Sequence, residues 1–118
     1  MKISTIVFMI ATLFIFWKRF APPMVNTTSL NFADATIIDV RTPDEFASGH
    51  VNGAINLPIQ TIQESDVTKL TSKDKPVVVY CRSGNRSSMA AGKLKQWGFE
   101  QIYDLKTQSG VENAIKSH

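Results

Sequence analysis

The residue with the clearest chemical potential is Cys81, the one cysteine among 118 residues. It directly follows the apolar run 77–80, which predicts a buried strand, and a polar segment begins immediately after it. Open α/β sheets bind their ligands at the carboxyl ends of parallel strands. A cysteine in that place predicts a nucleophile, although an inert structural cysteine is the alternative.

The polar segment after Cys81 combines two arginines with two residues that favour tight turns. Gly84 and Asn85 readily adopt positive φ, so the segment can curl above the sulfur with its backbone amides facing inward. Such a nest, with the charge of Arg86 and of Arg82, attracts anions and favours the thiolate form of Cys81. We therefore expect substrate binding by six consecutive residues: Arg82, Ser83, Gly84, Asn85, Arg86 and Ser87.

Two other cysteine chemistries fit the sequence less well. Cysteine phosphatases and arsenate reductases place five residues between the cysteine and the arginine of their anion loop, whereas four lie between Cys81 and Arg86. A thiol-disulfide oxidoreductase normally needs a second, resolving cysteine, which this chain lacks.

The segments that position Cys81 alternate between strand-like and helix-like patterns. Thr42, Pro43 and Glu45 form a capping-box sequence at the start of one helix. The alternation predicts an α/β domain, a small and mostly parallel sheet flanked by helices on both faces. The predicted strands are 36–40, 54–57, 77–80 and 101–105, and the predicted helices are 42–49, 62–70, 87–97 and a last turn at 111–115.

The helix over 87–97 carries an apolar stripe that predicts its buried face. The stripe consists of Met89, Ala90, Leu94 and Trp97, and Gly98 follows as a helix terminator.

The charge distribution argues against general nucleic-acid binding. The formal net charge is +3, but the first 23 residues hold three of the 13 basic residues and no acidic one. The remaining chain therefore has ten basic and ten acidic residues, and a neutral domain lacks the field that counterion release exploits. No clustered cysteine and histidine ligands are visible, so we expect no metal and no organic cofactor.

The first 23 residues have the pattern of a membrane anchor or an export signal. Residues 3–17 are almost entirely apolar and are bracketed by Lys2 on one side and by Lys18 and Arg19 on the other. No small-x-small cleavage site follows, which favours an uncleaved anchor, and Pro22-Pro23 separates it from the domain at 26–118. We expect attachment to a bacterial inner membrane, with the domain in the periplasm or the cytoplasm. Cleavage would instead release the domain into the periplasm.

Two motifs resemble the rhodanese-like domain family. The stretch 37–58 is similar to the family's N-terminal signature, and the Cys81 loop is similar to its active site. The resemblance is strongest to short, exported, single-domain members. It implies the rhodanese fold, catalysis by Cys81, oxyanion binding by the backbone of residues 82–87 with Arg86, and support of the site from a distance by Asp39 and Arg41. A purely structural ion pair is the alternative for Asp39 and Arg41. The Gly-Gly pair that often follows the last strand is replaced by residues 106–110, which puts the rim of the pocket in question.

The resemblance also implies an activity. Cys81 would take sulfane sulfur from thiosulfate or a persulfide, hold it as a cysteine persulfide and pass it to cyanide, a thiol or an acceptor protein. The alternative function is a membrane-tethered module that carries persulfide or binds a partner protein without catalysis.

Overall fold

The computed structural model describes residues 26–118, which contain four strands and four helices. The strands are β1 (Thr36–Asp39), β2 (Ile55–Asn56), β3 (Pro76–Cys81) and β4 (Gln101–Thr107). The helices are α1 (Pro43–Ala47), α2 (Glu64–Thr68), α3 (Asn85–Gln96) and α4 (Gln108–Lys116).

The four strands form one parallel sheet in the order β2-β1-β3-β4. All six residues of β3 are buried, as expected of a central strand covered on both faces. The register between β3 and β4 shifts once, because Val79 pairs with Asp104 whereas Tyr80 pairs with Lys106. This bulge changes the direction of β4 beside the carboxyl end of β3.

Alternation along β3 divides the core into two clusters, one on each face of the sheet. Val77, Val79 and Cys81 pack with Ala90 and Leu94 of α3. Val78 and Tyr80 pack on the opposite face with Leu30 and with Val111 of α4. The prediction of a parallel sheet with helices on both faces is therefore confirmed.

The start of α1 follows from its sequence. Thr42 accepts a hydrogen bond from the Glu45 amide, and the Glu45 carboxylate accepts one from the Thr42 amide, which completes the predicted capping box. Pro43 occupies the first turn, where its missing N–H costs nothing.

The structure corrects four predictions about the elements near the site. Helix α3 begins at Asn85, two residues earlier than predicted, because Gly84 is its N-cap. Strand β4 continues to Thr107, and the last helical turn is the full helix α4. The Met89 side chain is 59% exposed, so Met89 does not belong to the buried stripe that contains Ala90 and Leu94.

The predicted membrane segment at 3–17 lies outside the described residues. Within 26–118, no helix is both long enough and apolar enough to cross a bilayer.

Candidate active site

Cys81 is the last residue of β3, and its side chain belongs to the face of the sheet that α3 covers. The residue is only 1% exposed. The loop 82–84 connects it directly to α3, so the sulfur lies beside the first turn of that helix. The positive end of the helix dipole and the unpaired amides of the first turn therefore face the sulfur.

The sulfur is itself the acceptor of the inward-facing amides. The Gly84 amide donates a hydrogen bond to Cys81 Sγ at 3.0 Å, and Sγ lies 3.6 Å from the Ser87 hydroxyl oxygen. The sequence predicted amides aimed at an anion above the sulfur; in the structure the Gly84 amide donates to the sulfur itself, and anion binding by these amides stays a prediction. The close turn is possible because Gly84 has a φ of 99°, in the left-handed region.

These contacts set the pKa of Cys81 below its ordinary value. Burial is the largest single influence and by itself raises the pKa, because it disfavours the charged form. Hydrogen bonds from the Ser87 hydroxyl and from the amides of Ser87, Gly84 and Ser83 together outweigh it. Dipoles of the loop and the helix start therefore favour the thiolate that sulfur nucleophiles require.

Ser87 links the sulfur to the loop that surrounds it. Its hydroxyl donates a hydrogen bond to the Gly84 carbonyl at 3.1 Å while it remains beside Cys81 Sγ, and the residue is fully buried. Ser87 thus contacts the reacting atom with its side chain, whereas the sequence assigned it only a place in the substrate loop.

Arg86 was predicted to lie in the loop, but it belongs to the first turn of α3, and a carboxylate holds its guanidinium. Arg86 Nη1 and Nη2 donate to Glu45 Oε1 and Oε2 at 2.6 and 2.9 Å. This bidentate pair lowers the pKa of Glu45 to about 2, mainly through the Arg86 hydrogen bonds and next through the Thr42 amide. Arg86 therefore joins the first turn of α3 to α1. Direct binding of an anion by Arg86 stays a prediction. The sequence analysis assigned Glu45 only to the capping box of α1 and did not predict its pair with Arg86.

The remaining side chains of the predicted substrate-binding segment 82–87 are open to solvent. Arg82, Ser83 and Asn85 are all exposed, and Ser83 contributes its backbone amide to the sulfur. The structure thus brings the backbone of the predicted loop together around Cys81, with Ser87 as the side chain in contact with the sulfur.

Asp39 and Arg41 form a buried ion pair at the end of β1. Arg41 Nη2 lies 2.7 Å from Asp39 Oδ2, and Arg41 Nε donates to both carboxylate oxygens at 3.0 Å. The Arg41 guanidinium lies 5.6 Å from the centre of the Tyr80 ring, which places it on the face opposite the Cys81 side chain. The pair therefore cannot act on the sulfur by contact.

The ion pair instead holds the segments that surround α1. Arg41 Nη2 donates to the Gly49 carbonyl at 2.6 Å, just beyond the end of α1. Asn56 Nδ2 of β2 donates to the carbonyl oxygens of Asp39 and Arg41 at 3.0 and 2.9 Å. Since α1 carries Glu45, this framework supports the Cys81 loop from a distance.

A cysteine at the end of a central parallel strand, hydrogen-bonded by the loop and helix that follow it, defines an α/β protein with a thiol of lowered pKa at the end of its sheet. The chain belongs to the rhodanese-like domain family, whose sequence model matches residues 26–107. The resemblance drawn from the two sequence motifs is thereby confirmed.

Relatives and solved structures share this domain. YqhL of Bacillus subtilis, described as an uncharacterized protein, is 35% identical over 102 residues, which are 86% of this chain and 79% of YqhL. The thiosulfate sulfurtransferase PspE of Escherichia coli is 37% identical over 71 residues, 60% of this chain and 68% of PspE. A solved structure described as rhodanese with anions from E. coli is 32% identical with a TM-score of 0.60, and covers 64% of this chain and 89% of that one. The family therefore includes named sulfurtransferases of single-domain size.

Proposed function

We propose that this protein is a sulfurtransferase that moves sulfane sulfur from thiosulfate or a persulfide to a thiol or cyanide through a persulfide on Cys81. The observation that carries the proposal is the set of hydrogen bonds on Cys81 Sγ, which come from the Gly84 amide and its neighbours and lower the pKa of the thiol. The name of the relative PspE, a thiosulfate sulfurtransferase, supports the choice of donor.

In the first step the Cys81 thiolate attacks the outer sulfur of thiosulfate. A bond forms between Sγ and that sulfur while the bond between the two thiosulfate sulfurs breaks, and its electron pair leaves with sulfite. The persulfide keeps the negative charge on its terminal sulfur, so no external oxidant or reductant is required. The amides that stabilise the thiolate can stabilise this terminal charge after a small shift of the loop.

In the second step an acceptor attacks the terminal sulfur of the persulfide. Cyanide forms thiocyanate, and the electron pair of the breaking S–S bond returns to Cys81 Sγ as the thiolate. A thiolate acceptor becomes a persulfide in the same way. Because Cys81 is almost fully buried, donor and acceptor must be small at the reacting end or must displace the loop.

A thiosulfate-to-cyanide assay on the full chain tests the proposal. We expect thiocyanate formation by the wild type and none by Cys81→Ser, and equal rates would remove Cys81 from the reaction. Intact-mass measurement after exposure to thiosulfate should show the gain of one sulfur atom, which cyanide removes. A stable gain of sulfur that no acceptor removes would refute the enzyme and favour the alternative function, a carrier of persulfide.

The place of the protein in the cell is a second part of the proposal. The apolar run 3–17 with its flanking positive charges supports attachment to the inner membrane. Membrane fractionation of the full chain beside a variant that lacks residues 1–23 tests it. Recovery of the full chain in the soluble fraction would contradict attachment.

A further inference from the structure

Lys106 occupies an unusual place in the backbone at the end of β4. It has a φ of 73° and is the one non-glycine residue with a positive φ within 26–118. The bulge in β4 sets it opposite Tyr80, one residue before the partner of Cys81. A lysine in the left-handed region costs free energy, and such positions concentrate at functional sites.

This backbone conformation brings the stem of Lys106 against the loop that holds the sulfur. A Cβ atom built on Gly84 would lie 3.4 Å from Lys106 Cβ, 3.6 Å from its Cγ and 3.8 Å from its Cδ. Gly84 is the residue whose amide donates to Cys81 Sγ. The lysine side chain therefore covers one side of the sulfur-binding loop.

The charges around the loop distinguish Lys106 from Arg86. The guanidinium of Arg86 is neutralised by its bidentate pair with Glu45. The ammonium of Lys106 has no carboxylate within 4.0 Å among the residues that the structure describes, and the side chain is exposed. The nearby Asp104 carboxylate accepts from the Lys106 backbone amide at 3.1 Å. Among the described residues, no ion pair therefore engages the Lys106 ammonium, so its positive charge can attract an incoming anion.

We propose that Lys106 is a specificity-determining residue that draws anionic sulfur donors to Cys81 and favours them over neutral ones. The inference rests on the proposed sulfurtransferase function and deepens it, because it assigns donor selection to a side chain of β4 rather than to Arg86. Removal of the positive charge on this side chain, whose stem lies beside Gly84, should weaken association of a dianion roughly five- to tenfold and of a monoanion roughly threefold. The effect should shrink at high salt.

The variants Lys106→Asn and Lys106→Arg separate charge from backbone conformation. Asparagine tolerates the left-handed region and carries no charge, whereas arginine keeps the charge. With thiosulfate as the donor, we expect Lys106→Asn to raise KM roughly five- to tenfold with kcat nearly unchanged, and Lys106→Arg to resemble the wild type. Lys95→Asn, on the exposed surface of α3, is the control for loss of a distant charge. An unchanged KM in Lys106→Asn would overturn the inference while leaving the proposed function intact.

A second measurement does not depend on sulfur transfer. Iodoacetate and iodoacetamide alkylate the same thiolate, but only the first carries a negative charge, so the ratio of their rates at Cys81 cancels the reactivity of the sulfur. We expect this ratio to fall roughly threefold in Lys106→Asn at low salt and to be preserved in Lys106→Arg. An equal ratio in all variants would refute the role of Lys106, even if the protein transferred no sulfur.

Discussion

Replacement of Ser87 by alanine tests how the protein stabilises the Cys81 thiolate. The Ser87 hydroxyl lies 3.6 Å from Sγ, and it can donate to the thiolate in place of the Gly84 carbonyl. Hydrogen bonds to charged groups contribute about 1.5–3 kcal/mol, and the length of this contact places it at the low end. A loss of about 1.4 kcal/mol corresponds to a rise of about one unit in the pKa of Cys81.

Alkylation by iodoacetamide across a range of pH measures this population directly, because Cys81 is the one cysteine of the chain. We expect Ser87→Ala to move the midpoint of the rate profile to higher pH by about one unit, so that the rate falls roughly tenfold at pH values below both midpoints. The plateau at high pH should be similar, since both proteins are then ionised. The matched control is Ser88→Ala, whose exposed side chain lies one residue further along α3. Coincident profiles for Ser87→Ala and the wild type would refute the role of the hydroxyl.

The lowered pKa of Cys81 in the folded wild type also predicts a dependence of stability on pH. The pKa of Cys81 is lower in the folded protein than in the unfolded chain, so ionisation adds to stability above the unfolded pKa of about 8.5. This contribution is lost as the pH falls through the folded pKa. The free energy of unfolding of the wild type relative to Cys81→Ala should therefore rise as the pH increases from 7 to 9, and Ser87→Ala should show a smaller rise.

Three further substitutions test the framework around the loop. Glu45→Gln should lower the free energy of unfolding near pH 7. The difference from the wild type should vanish as the pH falls from 5 toward 2, because the lowered pKa of Glu45 reflects its pair with Arg86. A difference that does not depend on pH would contradict the pair. Asp39→Ala leaves Arg41 buried without its partner and should lower the free energy of unfolding in urea by about 3–5 kcal/mol. A loss under about 1 kcal/mol would show that the Asp39–Arg41 ion pair does not hold these segments together. Gly110→Ala should lower the melting temperature strongly because its Cβ would collide with a carbonyl oxygen of β4, and a native melting temperature would show that α4 can shift.

Local patterns predicted most of the fold. The four β-branched or aromatic residues before Cys81 fixed a central strand, and the Thr42 to Glu45 spacing fixed the start of α1, because both features depend on neighbours within a few residues. The bulge of β4 and the exposure of Met89 depend on how α3 and β4 meet the sheet, so the periodicity of either segment alone could not show them.

The site was predictable in composition but not in its contacts. The position of Cys81 at the end of a strand follows from the sequence, and so does the amide-rich loop after it. The pairing of Arg86 with Glu45 joins residues 41 positions apart, and no local signal reveals it. The sequence therefore assigned Arg86 only to the substrate, and that assignment stays a prediction, whereas the pair with Glu45 became visible only in the structure.

This use of Arg86 has a chemical consequence for the reaction. In the proposed reaction, a free guanidinium beside the sulfur would stabilise the thiolate, but it would also retain the sulfite that the first step would release. The groups that lower the pKa of Cys81 are backbone amides and the Ser87 hydroxyl, none of which carries a full charge. The pair of Arg86 with Glu45 joins the first turn of α3 to α1, which keeps those dipoles in place. Arg41, paired with Asp39 on the other face of the sheet, donates to the Gly49 carbonyl just beyond the end of α1. If the protein transfers sulfur as proposed, it binds one anion and releases another in every cycle, and uncharged dipoles at the sulfur would favour that release.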